Sequence, residues 1–155
     1  ANFLATAGFD QRTLIYINDG DYEFGYSFIP QVNGKITAVV AKIPDVHLAM
    51  RVTIWDKATQ NVLRTETIDI TTANTETTKD IVPIDLTKDK EYFISFNSND
   101  YYRHSRTDGK NTTYPITVGD LKITSYAWFS GATQIFPTAN DASYYAGDLS
   151  FKFQK

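Results

Sequence analysis

The chain predicts an all-β fold, an antiparallel β-sandwich of jelly-roll type, and three observations lead there. Thr, Tyr, Phe, Ile and Val, which favour a pleated surface, are abundant, while the Ala/Leu/Glu mixtures of helices are scarce. Apolar and polar residues alternate with a period of two over many short stretches. Turn signals rich in Asn, Asp, Gly and Pro separate those stretches, giving roughly nine or ten strands and no βαβ pattern. With 155 residues the chain fits one domain, residues 1–155. At that size folding buries about 70% of the unfolded surface, so no disulfide or metal staple is required.

Taken in order, residues 2–11 give no clear element, although Phe3, Leu4 and Phe9 can dock onto a sheet edge. Thr13 to Ile17 is a short apolar strand, stopped by the turn Asn18-Asp19-Gly20-Asp21. Tyr22 to Phe28 puts Tyr22, Phe24, Tyr26 and Phe28 on one face and Glu23, Gly25 and Ser27 on the other. Pro30 ends it, and Asn33-Gly34 turns into Ile36–Ile43, apolar enough for a central strand. Leu48 to Asp56 alternates, with Leu48, Met50, Val52 and Ile54 inward and Arg51, Thr53 and Trp55 outward. It forms a hairpin with Val62–Ile70. Ile81, Ile84 and Leu86 surround Pro83, which suits an edge strand. Further on, Tyr114–Gly119 reads as a short strand and turn, Leu121–Phe129 alternates, Gly131–Ser143 reads as loop, and Asp148–Phe153 closes the sheet.

The most informative stretch runs from Glu91 to Asp108. Its first half alternates, with Tyr92, Ile94 and Phe96 on one side and Phe93, Ser95 and Asn97 on the other. Its second half reads as a loop, residues 97–108, carrying two tyrosines, two arginines and a histidine among turn-forming residues. A rigid sheet delivering one decorated loop is the layout of a binding module. A sugar's apolar face stacks on an aromatic ring while Asn, Asp and Arg satisfy its hydroxyls. Tyr101, Tyr102, Arg103, His104 and Arg106 offer such a set, and Trp128 adds a platform.

Other chemistries have less support. No Ser lies in a G-x-S-x-G turn, and His47 and His104 sit in separate expected loops without an acid pattern. Without cysteine or an H-x-x-x-H pair, thiol catalysis and a zinc site fall away. A paired-carboxylate glycosidase needs two facing acids, for example among Asp19, Asp21, Glu23 and Asp148, but 18 acids form an ordinary surface complement. No cofactor is expected, with calcium at Asp19 and Asp21 as the subsidiary expectation, since that turn supplies two carboxylates. A net charge of −3 with interspersed signs gives no basic face for nucleic acid, and no apolar run reaches membrane-spanning length.

The order of motifs resembles a bacterial domain-of-unknown-function family found in secreted and surface proteins beside fibronectin type III and cadherin-like modules. The matching residues are Asn18-Asp19-Gly20 before Glu23–Phe28, then Gly34–Val39 leading to Lys42, and Val52–Asp56 with Leu63 in the return strand. Tyr92–Ser95 and Phe136-Pro137-Thr138 complete the series. The resemblance implies a jelly-roll-like sandwich at the cell surface, and it transfers no catalytic residue. The expected function is non-catalytic extracellular recognition, of a glycan, with a structural or adhesion spacer contacting neighbouring surface-protein domains as the alternative. Export, with an anchor or signal upstream of residue 1, is the expected localisation.

Overall fold

The computed structural model describes residues 3–155; Ala1 and Asn2, which belong to the expected 1–155 unit, lie outside the described residues. A short helix α1 (Phe3–Ala7) and a 3-10 turn (Phe9–Gln11) precede thirteen strands. These are β1 (Arg12–Tyr16), β2 (Tyr22–Pro30), β3 (Gly34–Lys42), β4 (His47–Asp56), β5 (Val62–Ile70), β6 (Thr77–Leu86) and β7 (Tyr92–Ser98). They continue with β8 (Tyr101–Ser105), β9 (Ile116–Val118), β10 (Leu121–Ser130), β11 (Ala139–Asn140), β12 (Tyr144–Ala146) and β13 (Asp148–Gln154).

One large sheet has the order β11-β10-β2-β7-β4-β5, with β9 also on β10. Two three-stranded sheets, β1-β8-β12 and β13-β3-β6, cover one of its faces. The ring contacts fix that packing: Phe24 meets Tyr101 at 4.5 Å, Tyr26 meets Tyr145 at 6.4 Å and Phe28 meets Phe151 at 4.8 Å. All pairings in these sheets are antiparallel, and the chain passes repeatedly between the layers, as a jelly-roll-like sandwich requires. The period-two reading of β2 and β7 explains the core, because Tyr22, Phe24, Tyr26 and Phe28 all turn to the covering layer beside Ile94 and Phe96.

Gly147 makes the junction between β12 and β13 possible. Its φ of 90° suits glycine, and a Cβ there would lie 2.5 Å from the Phe96 ring and 2.7 Å from Phe24 Cβ. Any side chain would push the covering layer off the large sheet.

The second face of the large sheet, expected to point to solvent, is buried too. Residues 131–138 lie over it, and Trp55 (3% exposed), Phe93 and Ala127 pack against Phe136. Beneath the same segment, Glu23 is fully buried. It receives the Arg51 guanidinium at 2.7 Å, the Ser95 hydroxyl at 2.6 Å and the Asn97 amide at 3.2 Å. Arg51 and Asn97 also donate to the carbonyls of Ala132 and Gly131, pinning the segment down.

Leu48 corrects another expectation. Ala49 adopts a φ of 53° and the β4–β5 register shifts between His47 and Met50, so Leu48 leaves the inward series and is 64% exposed. The N-terminal segment docks more deeply than onto an edge: Phe9 is fully buried, and Phe3 meets the Tyr145 ring at 5.1 Å. Among the described residues no helix is long and apolar enough to cross a membrane.

Candidate functional site

The expected loop at 97–108 is largely strand, and this changes which side chains act together. After the tight connection at Asn99-Asp100, Tyr101–Ser105 forms β8, the central strand between β1 and β12. Strand alternation then splits the cluster. Tyr101 and Arg103 face one side, and Tyr102 and His104 face the other.

Two turns hold the first side in place. Asn18 N–H donates to Asp100 Oδ1 at 2.9 Å, Asp19 N–H to the Asn99 carbonyl at 3.0 Å, and Asn99 Nδ2 to Asn18 Oδ1 at 3.2 Å. The β1–β2 turn is thereby tied to the β7–β8 connection, which sets the Asp19 carboxylate against Tyr101. The Tyr101 hydroxyl donates to Asp19 Oδ2 at 2.5 Å. Burial, then this bond and the carboxylate's charge, push the Tyr101 phenol well above its ordinary value.

Around that bond lies a hollow of about 240 Å³ lined by Tyr16, Asp19, Tyr22, Phe24, Tyr101, Arg103, Trp128, Tyr144 and Ala146. Phe24, Tyr101 and Ala146 are its buried floor, and half-buried Tyr16, Tyr22, Trp128 and Tyr144 form its walls. Tyr16 stacks on Tyr101 with centroids 4.9 Å apart, and Tyr22 stands edge-on to Tyr101 (5.9 Å) and Trp128 (6.0 Å). The Arg103 guanidinium lies over the rings of Tyr16 (5.4 Å) and Tyr144 (5.3 Å). Burial also raises the Tyr144 phenol.

The hollow therefore gathers Tyr101, Arg103 and Trp128 from the expected recognition set, together with Asp19. It does not take in Tyr102, His104 or Arg106. The Tyr102 hydroxyl donates to Asn74 Oδ1, and Lys42 Nζ lies 5.3 Å from its ring centroid. His104 is neither in a loop nor without an acid. It is buried in β8, with Nδ1 2.9 Å from Thr13 Oγ1 and Nε2 2.7 Å from Asp148 Oδ1, and it links three strands. Arg106 lies beyond the strand end and clasps Asp108 through two bonds of 3.0 and 2.8 Å, holding that carboxyl well below the usual range.

Tyr16, Tyr22 and Tyr144 were missed by sequence reasoning. The pairing of β1 and β12 with β8, with Tyr16 opposite Tyr101 and Ala146 opposite Arg103, brings in Tyr16 and Tyr144, and the packing of β2 against β8 brings in Tyr22. The one available signal was the alternation within Tyr101–Ser105 itself.

Asp19 is engaged by Tyr101, and among the described residues no three His, Asp or Glu side chains cluster as metal ligands. Of the acids named for a glycosidase, Glu23 is sealed under residues 131–138 and Asp148 is bound to His104.

No family model and no curated protein matches the chain. Among solved structures it is similar to a family 35 carbohydrate binding module from an environmental isolate, at 13% identity and a TM-score of 0.38. That alignment covers 79% of this chain and 74% of the other. So loose a superposition transfers no residue, and the site stands on its own geometry.

Proposed function

We propose that the protein is a non-catalytic recognition module that binds a glycan in the Tyr16–Tyr22–Tyr101–Trp128–Tyr144 hollow. The observation that carries this reading is the convergence of six aromatic side chains from β1, β2, β8, β10 and β12 with one carboxylate and one guanidinium. Rings supply a flat apolar surface for a pyranose, Asp19 accepts hydroxyl protons, and Arg103 donates. A hollow of about 240 Å³ lies below the roughly 300–1,000 Å³ of drug-sized sites, so it suits a single sugar residue. Binding by one module is then weak, since a millimolar Kd corresponds to only about −4 kcal/mol. Display of several copies on an exported surface protein, the setting implied by the motif resemblance, would supply avidity.

The test is a glycan array with the protein displayed multivalently, beside Trp128→Ala and, as an off-site control, Arg106→Ala. Signal lost in the first and kept in the second supports the reading. A blank array from folded protein rejects it. A second reading, a spacer that contacts neighbouring protein domains, is favoured by Ile15 (61% exposed) on β1, an edge strand with no outer partner among the described residues.

A further inference from the structure

The arginines of this chain differ in one respect that bears on the ligand's charge. Arg51, Arg64 and Arg106 each hold a carboxylate, at 2.7, 3.2 and 2.8 Å. Arg12 is exposed, where water serves. Arg103 is half-buried and, among the described residues, has no carboxylate and no hydrogen-bond acceptor; its contacts are the rings of Tyr16 and Tyr144. None of its nitrogens is sealed from solvent, because the buried unpaired polar atoms are Arg51 Nε and the Tyr114 and Tyr126 hydroxyls. Arg103 lines the hollow, and its N–H groups are reachable from solvent.

Resting on the glycan reading above, we propose that the ligand's terminal sugar carries an anionic oxygen group, a carboxylate or a sulfate ester, that pairs with Arg103. A half-buried guanidinium with no carboxylate beside it leaves its charge-assisted donors without a protein partner, and ring contact replaces only part of that interaction. Its planar fork matches a carboxylate or sulfate through paired N–H bonds, which a lone sugar hydroxyl cannot accept. Asp19 does not cancel it. Its carboxylate is engaged by the Tyr101 hydroxyl, and Arg103 makes no ion pair with it. The hollow thus carries both signs: it places the anionic group at Arg103 and a hydroxyl at Asp19. A cationic amino sugar would meet the unpaired guanidinium and be rejected.

The experiment uses an array of matched terminal sugars: neutral hexoses, hexuronic acids, sulfated hexoses and hexosamines. Wild type, Arg103→Gln and Trp128→Ala are compared, each first shown to be folded by circular dichroism. Wild type should prefer acidic over matched neutral members by about tenfold or more, and Arg103→Gln should erase that preference. The preference should also shrink as ionic strength rises from about 0.1 to about 1 M, which shortens the screening length from about 10 to about 3 Å. Signal on uronic acids alone selects the carboxylate, and signal on sulfated members alone selects the sulfate. Equal binding of neutral members, a preference for hexosamines, or an acidic preference that survives Arg103→Gln overturns this inference while leaving glycan recognition intact. No binding to any member, neutral ones included, overturns both.

Discussion

Arg51 and Arg103 sit in two aromatic-rich regions built by the same strand chemistry, and their surroundings differ in kind. Arg51 lies beneath residues 131–138, beside Trp55, Phe93 and Phe136, and it closes on the fully buried Glu23. Ser95 and Asn97 engage the same carboxylate, and the Trp55 indole N–H donates to Ser95 at 2.9 Å. That region is closed sterically, and its one carboxylate is fully engaged, with only Arg51 Nε left without a partner, so it maintains structure. Arg103 has the rings of Tyr16 and Tyr144 around it and, among the described residues, no acceptor. A region whose polar groups are paired holds the fold together, and one whose charge is left open has a place for a ligand.

Changes in the two regions should therefore have opposite signatures. The broadest perturbation strikes both. Burial raises the phenols of Tyr26, Tyr126 and Tyr145, and Tyr101 is raised as well. Above about pH 10 the unfolded chain binds fewer protons than the folded one, so stability falls as pH rises from there. Phenolate absorbance should rise together with loss of circular dichroism. A smooth tyrosine titration with the fold intact would contradict the sealed core.

Within the closed region, Glu23→Ala removes the carboxylate shared by the half-buried Arg51 guanidinium, Ser95 and Asn97. It should cost about 3 kcal/mol, or roughly 10 °C in Tm for a chain of this size. Thermal unfolding that is unchanged would mean the network does not hold the covering segment. In the open region, Trp128→Ala should weaken glycan binding about 30-fold, the scale of an aromatic hot spot. Titration calorimetry against an array-positive sugar measures it, and an unaltered Kd would remove Trp128 from the site.

Phe136→Ala should lower stability by roughly 1–2 kcal/mol, since the ring is only partly buried. Its specific mark is faster amide exchange across residues 131–138 and red-shifted Trp55 emission. Unchanged exchange there would show that the Arg51, Asn97 and Gln134 bonds suffice alone. The smallest effect on folding is expected from Arg103→Gln, within about 1 kcal/mol, because only ring contacts are lost. A loss as large as that of Glu23→Ala would make Arg103 a structural residue and collapse the contrast.

Legibility in the sequence followed the range of the interactions. The alternation in Tyr22–Phe28 and Tyr92–Asn97 identified the core face directly, and Val62–Ile70 was read with its observed boundaries. Tyr101–Ser105 was read as loop because its Asn and Asp neighbours favour turns, yet β1 and β12 supply ladder partners on both edges. Trp55 and Thr53 read as solvent-facing because the chain that covers them comes about eighty residues later, with Gln134 Nε2 donating to Thr53 Oγ1 at 2.9 Å.

What the sequence by itself determined was local: the all-β class, most strand positions, the turn at Asn18–Asp21, and the candidates Tyr101, Arg103 and Trp128, which the structure brings to one hollow. Those rest on backbone propensity and side-chain period, which act over a few residues. Only the tertiary structure decided that Tyr102 and His104 leave the site, that Tyr16, Tyr22 and Tyr144 enter it, and that Arg103 rather than Arg51 lacks a counter-charge. Those depend on which distant strands pair and in what register, and a register is fixed by the whole core at once.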